Sequence, residues 1–218
     1  RDDQQVWVKA EDLKVGDFLV FPKHVAPSIA PSLAVTGVTK KALVKNPRLS
    51  DAIPLNPETA YLFGKYVADG YCSLYEESGK TVVQRGVCGI VFGKHEAAKV
   101  PVYAALVEKY FGHYHIKEIQ TEYVINFGRL IMARNMCEWF GRDATSKRIP
   151  EVIMRCACSD TIVAFIKGYF DGDGCVQSYD RPGYRGTMMT SSVSKELILQ
   201  LQALLSRIGI AGSVRVSK

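Results

Sequence analysis

No CxxC pair occurs among the six cysteines of this 218-residue chain, and only Cys156 and Cys158 lie close in sequence. That CxC spacing has no matching second pair, which argues against a four-ligand zinc site. Cys72, Cys88, Cys137, Cys156, Cys158 and Cys175 are instead expected as buried free thiols in a reducing compartment. Histidine is scarce, and His95, His113 and His115 have no partnered constellation, so they are expected to be structural or exposed. No apolar run approaches the roughly 20 residues of a membrane span, and no signal peptide is visible. A cytoplasmic (intracellular) protein without membrane contact is the expectation. The first residue is Arg1 rather than Met, which reads as a processed or excised piece.

What is present fits a folded chain of mixed class. Hydrophobic residues make up 47%, enough for one sizeable core or two modest domains. Lys and Arg outnumber Asp and Glu by 28 to 22, a balance compatible with a polyanionic partner but shared by many unrelated proteins. Around Trp7-Val8 and Phe18–Phe21 two short strands flank a Val15-Gly16-Asp17 turn. Residues 23–55 are rich in proline, carry Lys40, Lys41, Lys45 and Arg48, and read as a linker or basic arm. Asn56-Pro57-Glu58 has the chemistry of a helix start, with cap, proline and acid in order, and Gly70 stops that helix. Strands follow near 71–75 and 82–92, a helix over 96–111, strands over 114–120 and 123–127, and a helix over 128–140. After Lys147-Arg148-Ile149-Pro150 the pattern restarts: Ser159-Asp160 caps a helix ending at Gly174. Strands near 175–179 and 187–193 and a helix over 195–208 complete it.

The restart is an internal repeat. Leu62–Gly70 (LFGKYVADG) pairs with Ile166–Gly174 (IKGYFDGDG), an offset of 173 − 69 = 104 residues. Gly64 with Ala68, and Gly168 with Gly172, each place two small residues four apart on one helix face, so two such helices can touch along their backbones. Touching would bring the helix ends together, and each end carries an acid, Asp69 and Asp173. Carboxylates oppose the negative end of a helix dipole. A pair about 4 Å apart repels by roughly 4 kcal/mol at an effective dielectric of about 20. Such an arrangement calls for a hard cation, Mg²⁺ or a relative such as Mn²⁺, with the Ala68 and Gly172 carbonyls as further ligands. Metal held there can activate water and stabilise the leaving oxygen of a phosphodiester. An EF-hand start at Asp171 fails, because Val176 stands where glycine is needed and Pro182 where glutamate is needed.

LFGKYVADG and IKGYFDGDG resemble the paired motifs of LAGLIDADG (dodecapeptide) homing endonucleases, over residues 57–218, and Lys147–Pro150 resembles the family's KxIP segment. The resemblance implies an α+β fold of two pseudo-symmetric αββαββα repeats, residues 56–150 and 151–218, packed through the motif helices. Their sheets would form a saddle on double-stranded DNA. It implies that Asp69 and Asp173 bind the catalytic metals and that Lys147, 173 − 147 = 26 residues before the second acid, polarises the attacked phosphate or its water. Residues 1–22 resemble part of a Hint protein-splicing domain, without the terminal residues of splicing chemistry. Two departures stand out. Val67 replaces the sixth-position acid that Asp171 keeps, and only 45 residues follow Asp173 against 78 from Asp69 to Lys147. The second repeat is therefore expected to be incomplete, its remainder and second lysine on a separate chain of a nicked or split intein. Alternatives are a non-cutting LAGLIDADG nucleic-acid-binding protein, such as a maturase or transcription regulator, and one piece of a split splicing element. Candidate DNA-reading side chains are Tyr75, Gln84, Arg85, Lys94, Gln120, Gln177, Tyr179, Arg181, Tyr184 and Arg185.

Overall fold

The computed structural model describes residues 8–15, 31–39, 50–76, 83–177 and 187–216. Its central element is helix α1, Pro57–Asp69, which starts where three local signals coincide. The Asn56 side chain accepts from the Thr59 amide, and the Thr59 hydroxyl accepts from the Asn56 amide, both at 3.0 Å. Pro57 follows, needing no donor partner in the first turn. Nine of the thirteen residues of α1 are buried, from Thr59 to Ala68, so it is a core helix and not a surface one.

Strands β3 (Gly70–Glu76) and β4 (Val83–Gly93), helix α2 (Val100–Phe111), strands β5 (Tyr114–Glu118) and β6 (Glu122–Phe127), and helix α3 (Leu130–Phe140) complete an αββαββα unit. The sheet is antiparallel in the order β3-β4-β6-β5. Its core face alternates Cys72, Cys88, Ile90, Phe92, Ile125 and Phe127, all buried against the helices. Two helix starts differ from the sequence expectation. The segment 96–99 is 3-10 within Lys94–Lys99, because Pro101 has no amide for an α-helical bond to residue 97. Gly128 takes φ +67, a left-handed turn, so α3 begins two residues later.

The second unit, among the described residues, runs α5 (Ser159–Asp173), β7 (Cys175–Gln177), β8 (Thr187–Met189) and α6 (Lys195–Arg207), after a short helix α4 (Glu151–Met154). Cys158, not Ser159, holds the cap position of α5, and no side chain caps it. The fold is thus α+β, with antiparallel sheets on a packed helix pair.

Residues 23–55, expected as a linker or basic arm, contain in their described part strands β1 (Ser32–Ala34) and β2 (Ala52–Pro54), paired antiparallel. Leu33, Val35, Ile53 and Leu55 are buried. The buried Asn135 of α3 clamps this sheet, its Oδ1 accepting from the Thr36 amide at 2.8 Å and its Nδ2 donating to the Thr36 carbonyl at 3.0 Å. The basic residues 40, 41, 45 and 48 lie outside the described residues, as do Trp7 and 16–21. Between them, residues 10–12 form an exposed 3-10 turn.

The cysteine expectation needs correction. Cys72 of β3 and Cys137 of α3 form a disulfide, their Cα atoms 6.1 Å apart because the helix packs across the sheet. Cys88 and Cys156 are buried thiols as expected, but Cys158 and Cys175 are exposed. No helix among the described residues is long and apolar enough to cross a membrane.

Candidate active site

Helices α1 and α5 meet backbone to backbone. A Cβ on Gly64 would lie 2.0 Å from the Phe165 carbonyl oxygen, and one on Gly168 would lie 2.0 Å from that of Tyr61. The two contacts are related by one offset, 168 − 64 = 165 − 61 = 104, so the pair has local pseudo-two-fold symmetry. At the ends of the helices Asp69 reaches over the second motif: a Cβ on Gly172 would lie 2.2 Å from Asp69 Oδ2 and 2.5 Å from the Ala68 Cβ. Asp173 is one residue further on. The small residues read from the sequence therefore sit at the helix contact, and the two acids converge.

Lys147 completes the cluster. Its Nζ donates to the Ala68 carbonyl at 2.5 Å, and it lies in the field of both acids. Burial lowers its pKa, against the raising influence of Asp173 and Asp69. Burial, then the Asp69 charge, raises that of Asp173, with Lys147 and Lys65 opposing and a hydrogen bond from Tyr169 helping to hold the charged form. Asp173 keeps one side open to solvent, whereas the Asp69 side chain is 30% exposed.

The loop carrying Lys147 is fixed from both repeats. Gly141 turns it at φ +88, and the Ser146 amide and hydroxyl both bond to Asp143. From the second repeat, the buried Ser194 hydroxyl donates to the Lys147 carbonyl at 2.6 Å while accepting from the Leu197 amide at 3.2 Å as the cap of α6. Gln200 of α6 brackets Ile149, accepting from its amide at 2.6 Å and donating to its carbonyl at 3.1 Å. Ser194→Ala is expected to remove both the cap and the clamp, lowering stability by about 1–2 kcal/mol in urea unfolding. A change within about 0.3 kcal/mol would show that neither bond contributes.

Sequence reasoning missed Lys65. It is fully buried in α1 and donates to Asp69 Oδ2 at 2.7 Å and Glu96 Oε1 at 3.0 Å. The lysine-to-aspartate spacing of four residues is a visible i,i+4 signal, but Glu96 comes from beyond the sheet. The acid kept at Asp171 also has an assigned environment: its Oδ2 accepts from the Tyr61 hydroxyl, and Lys99 reaches its carbonyl at 3.2 Å.

All oxygen donors at the helix ends suit a hard divalent cation. Asp69 and Asp173 would be the side-chain ligands, with the Ala68 and Gly172 carbonyls beside them. No group of three or more His, Cys, Asp or Glu that could hold a metal ion occurs among the described residues.

The open face of the four-stranded sheet, opposite the helices, presents Tyr71, Ser73, Tyr75, Arg85, His115, Lys117 and Asn126 by alternation. Of the side chains picked out from sequence, Tyr75 and Arg85 are paired neighbours there. Lys94 is instead tied to Glu118 at 2.6 Å and to the Tyr123 ring, Gln120 lies in the β5–β6 turn, and Gln177 is exposed on β7. The Gln84 side chain and residues 179, 181, 184 and 185 lie outside the described residues.

A tight helix pair ending in converging acids, carried on antiparallel sheets, is an arrangement this chain shares with a homing endonuclease of known structure. Residues 160–218 match the family model of the LAGLIDADG-like domain. The chain superposes on mesophilic variants of the homing endonuclease I-DmoI with a TM-score of 0.54 at 16% identity, covering 74% of this chain and 82% of that one. For I-DmoI in complex with DNA and Mn the score is 0.52 at 14% identity, covering 74% and 83%. Among curated proteins, the replication factor C small subunit of Methanocaldococcus jannaschii is 28% identical over 214 residues, 96% of this chain and 9% of that protein. The ATP-dependent DNA helicase Hel308 of Thermococcus kodakarensis is 27% identical over 186 residues, 83% of this chain and 15% of that protein. The chain thus spans a small fraction of the curated relatives it matches.

Proposed function

We propose that this chain is the site-specific endonuclease of an intein, hydrolysing phosphodiester bonds of duplex DNA with Mg²⁺ or Mn²⁺. The observation that carries the reading is the convergence of Asp69 and Asp173 at the ends of two touching helices, with the Lys147 ammonium at the Ala68 carbonyl. A divalent cation bound between the acids would supply Lewis-acid stabilisation of the charge that develops on the phosphate oxygens. Asp69 and Asp173, aided by the Ala68 and Gly172 carbonyls, would bind and orient it. Lys147 would present a proton and a positive charge to the attacked phosphate or its water. The open sheet face, with Tyr75 and Arg85 side by side, would lie along the duplex and contact phosphates and base edges. Intein context is supported by the spread of the relatives over unrelated activities: similar segments occupy only 9% to 24% of a replication factor subunit, a helicase and an RNA polymerase subunit.

A second reading, a nucleic-acid-binding protein that does not cut, is favoured by the two lysines already facing the acids. One experiment separates the two. Duplexes recovered from a randomised pool by binding in Ca²⁺ are transferred to Mg²⁺ or Mn²⁺. Endonuclease activity predicts discrete cuts, abolished by EDTA and reduced at least about 10³-fold in Asp69→Asn, with duplex binding retained. Retained binding with no cut in either metal would leave the non-cutting reading.

A further inference from the structure

The two motifs hold their terminal acids by different means. Lys65 and Tyr169 occupy equivalent places, four residues before Asp69 and Asp173 and 169 − 65 = 104 residues apart. Lys65 has no exposed surface, lies 4.8 Å from the centre of the Phe92 ring, and bonds Asp69 and Glu96 together. Glu96 is itself fixed, accepting from the Gly93 amide at 3.1 Å and from Lys99 at 3.2 Å. The Asp69 carboxylate is therefore anchored through a buried cation to strand β4 and the 3-10 turn behind it. In the second motif the same place holds a neutral phenol, Tyr169, which the Thr190 hydroxyl bonds at 3.1 Å.

An ammonium taken wholly out of water is costly unless its partners are fixed, so this one is not an incidental charge on a solvated face. Its position also has a consequence for any cation approaching the acids. A fully buried ammonium 2.7 Å from Asp69 Oδ2 opposes a dication bound to the same carboxylate.

We propose that Lys65 is a resident counter-ion and positioning residue for Asp69, which orients that carboxylate and weakens the intrinsic affinity of the acid pair for divalent metal. Asp173 has no such internal cation on its own helix, so the two motifs contribute unequally to holding metal. The inference rests on the reading of Asp69 and Asp173 as metal ligands.

Mn²⁺ titration of the full chain, following the paramagnetic resonance of the free ion, tests it without any DNA target. Lys65→Met is expected to tighten Mn²⁺ binding by about tenfold or more, whereas Lys65→Arg, which keeps the charge, stays within about threefold of the parent protein. The double variant Lys65→Met/Glu96→Gln removes the cation without leaving Glu96 bare, and should still bind about threefold or more tightly than the parent. It also serves if Lys65→Met alone does not fold. Unchanged or weaker Mn²⁺ affinity in either folded Lys65→Met protein overturns the inference while leaving the metal reading intact. Mn²⁺ binding that persists when Asp69→Asn and Asp173→Asn are combined overturns the metal reading, and this inference with it.

Discussion

Gly168→Ala is expected to destabilise the protein by about 3 kcal/mol, lowering Tm by about 6–12 °C. The added Cβ would meet the Tyr61 carbonyl oxygen at 2.0 Å, its carbon at 2.9 Å and the Lys65 amide nitrogen at 3.1 Å. All three are backbone atoms of α1, so no side chain can swing aside. The helices must part, and every buried contact along their interface loosens with them. Alanine is the better helix former by about 1 kcal/mol, but that gain is smaller than the cost of overpacking. Gly212→Ala is the control, since the nearest atom to its Cβ is a Leu205 methyl at 3.8 Å, an ordinary contact. Thermal melts of the two proteins decide the matter. A Gly168→Ala protein as stable as the Gly212→Ala one would mean that the helices do not touch.

The second large effect separates function from stability at one residue. Asp173→Asn is expected to abolish cleavage, a loss of at least about 10³-fold, because a neutral amide replaces one of two carboxylate ligands. In metal-free buffer the same change should raise Tm slightly, by about 1–2 °C. Burial and the neighbouring Asp69 raise the pKa of Asp173 in the folded protein, so its ionised form opposes folding. That cost is fully present at neutral pH and disappears as pH falls through the folded pKa, so the advantage of asparagine should shrink in acid. Melts at pH 7 and near pH 3.5 check the sign. A variant less stable than the parent at pH 7 would show that Asp173 is a net stabilising charge.

The order of elements and the helix contact were legible because their causes are local. Asn56, Pro57 and Gly70 bound α1 within one segment, and the repeated glycine spacing describes one helix face. What escaped depends on partners far along the chain. Lys65 reads as an exposed charge until Glu96, 31 residues on, is folded against it. Cys137 stands 65 residues from Cys72, and Asn135 stands 99 from Thr36, so neither pairing has a sequence signature. The strands β1 and β2 are three residues each, too short for alternation to show among prolines. Lys147 came from resemblance alone, and its clamp by Ser194 required both repeats in place.

The packing of Gly64 against the Phe165 carbonyl and of Gly168 against that of Tyr61 has a consequence for how such a protein can change its target. Helices separated by side chains can be shimmed apart or drawn together by exchanging one residue for a larger or smaller one. Here no side chain lies between the backbones at their crossing, so that adjustment does not exist. The pair acts as a ruler of one length. Under the proposed function, the distance between the two scissile phosphates is then a constant of the scaffold. New specificities must be written on the strands, by exchanges at positions such as Tyr75 and Arg85, while the span between the cuts stays the same.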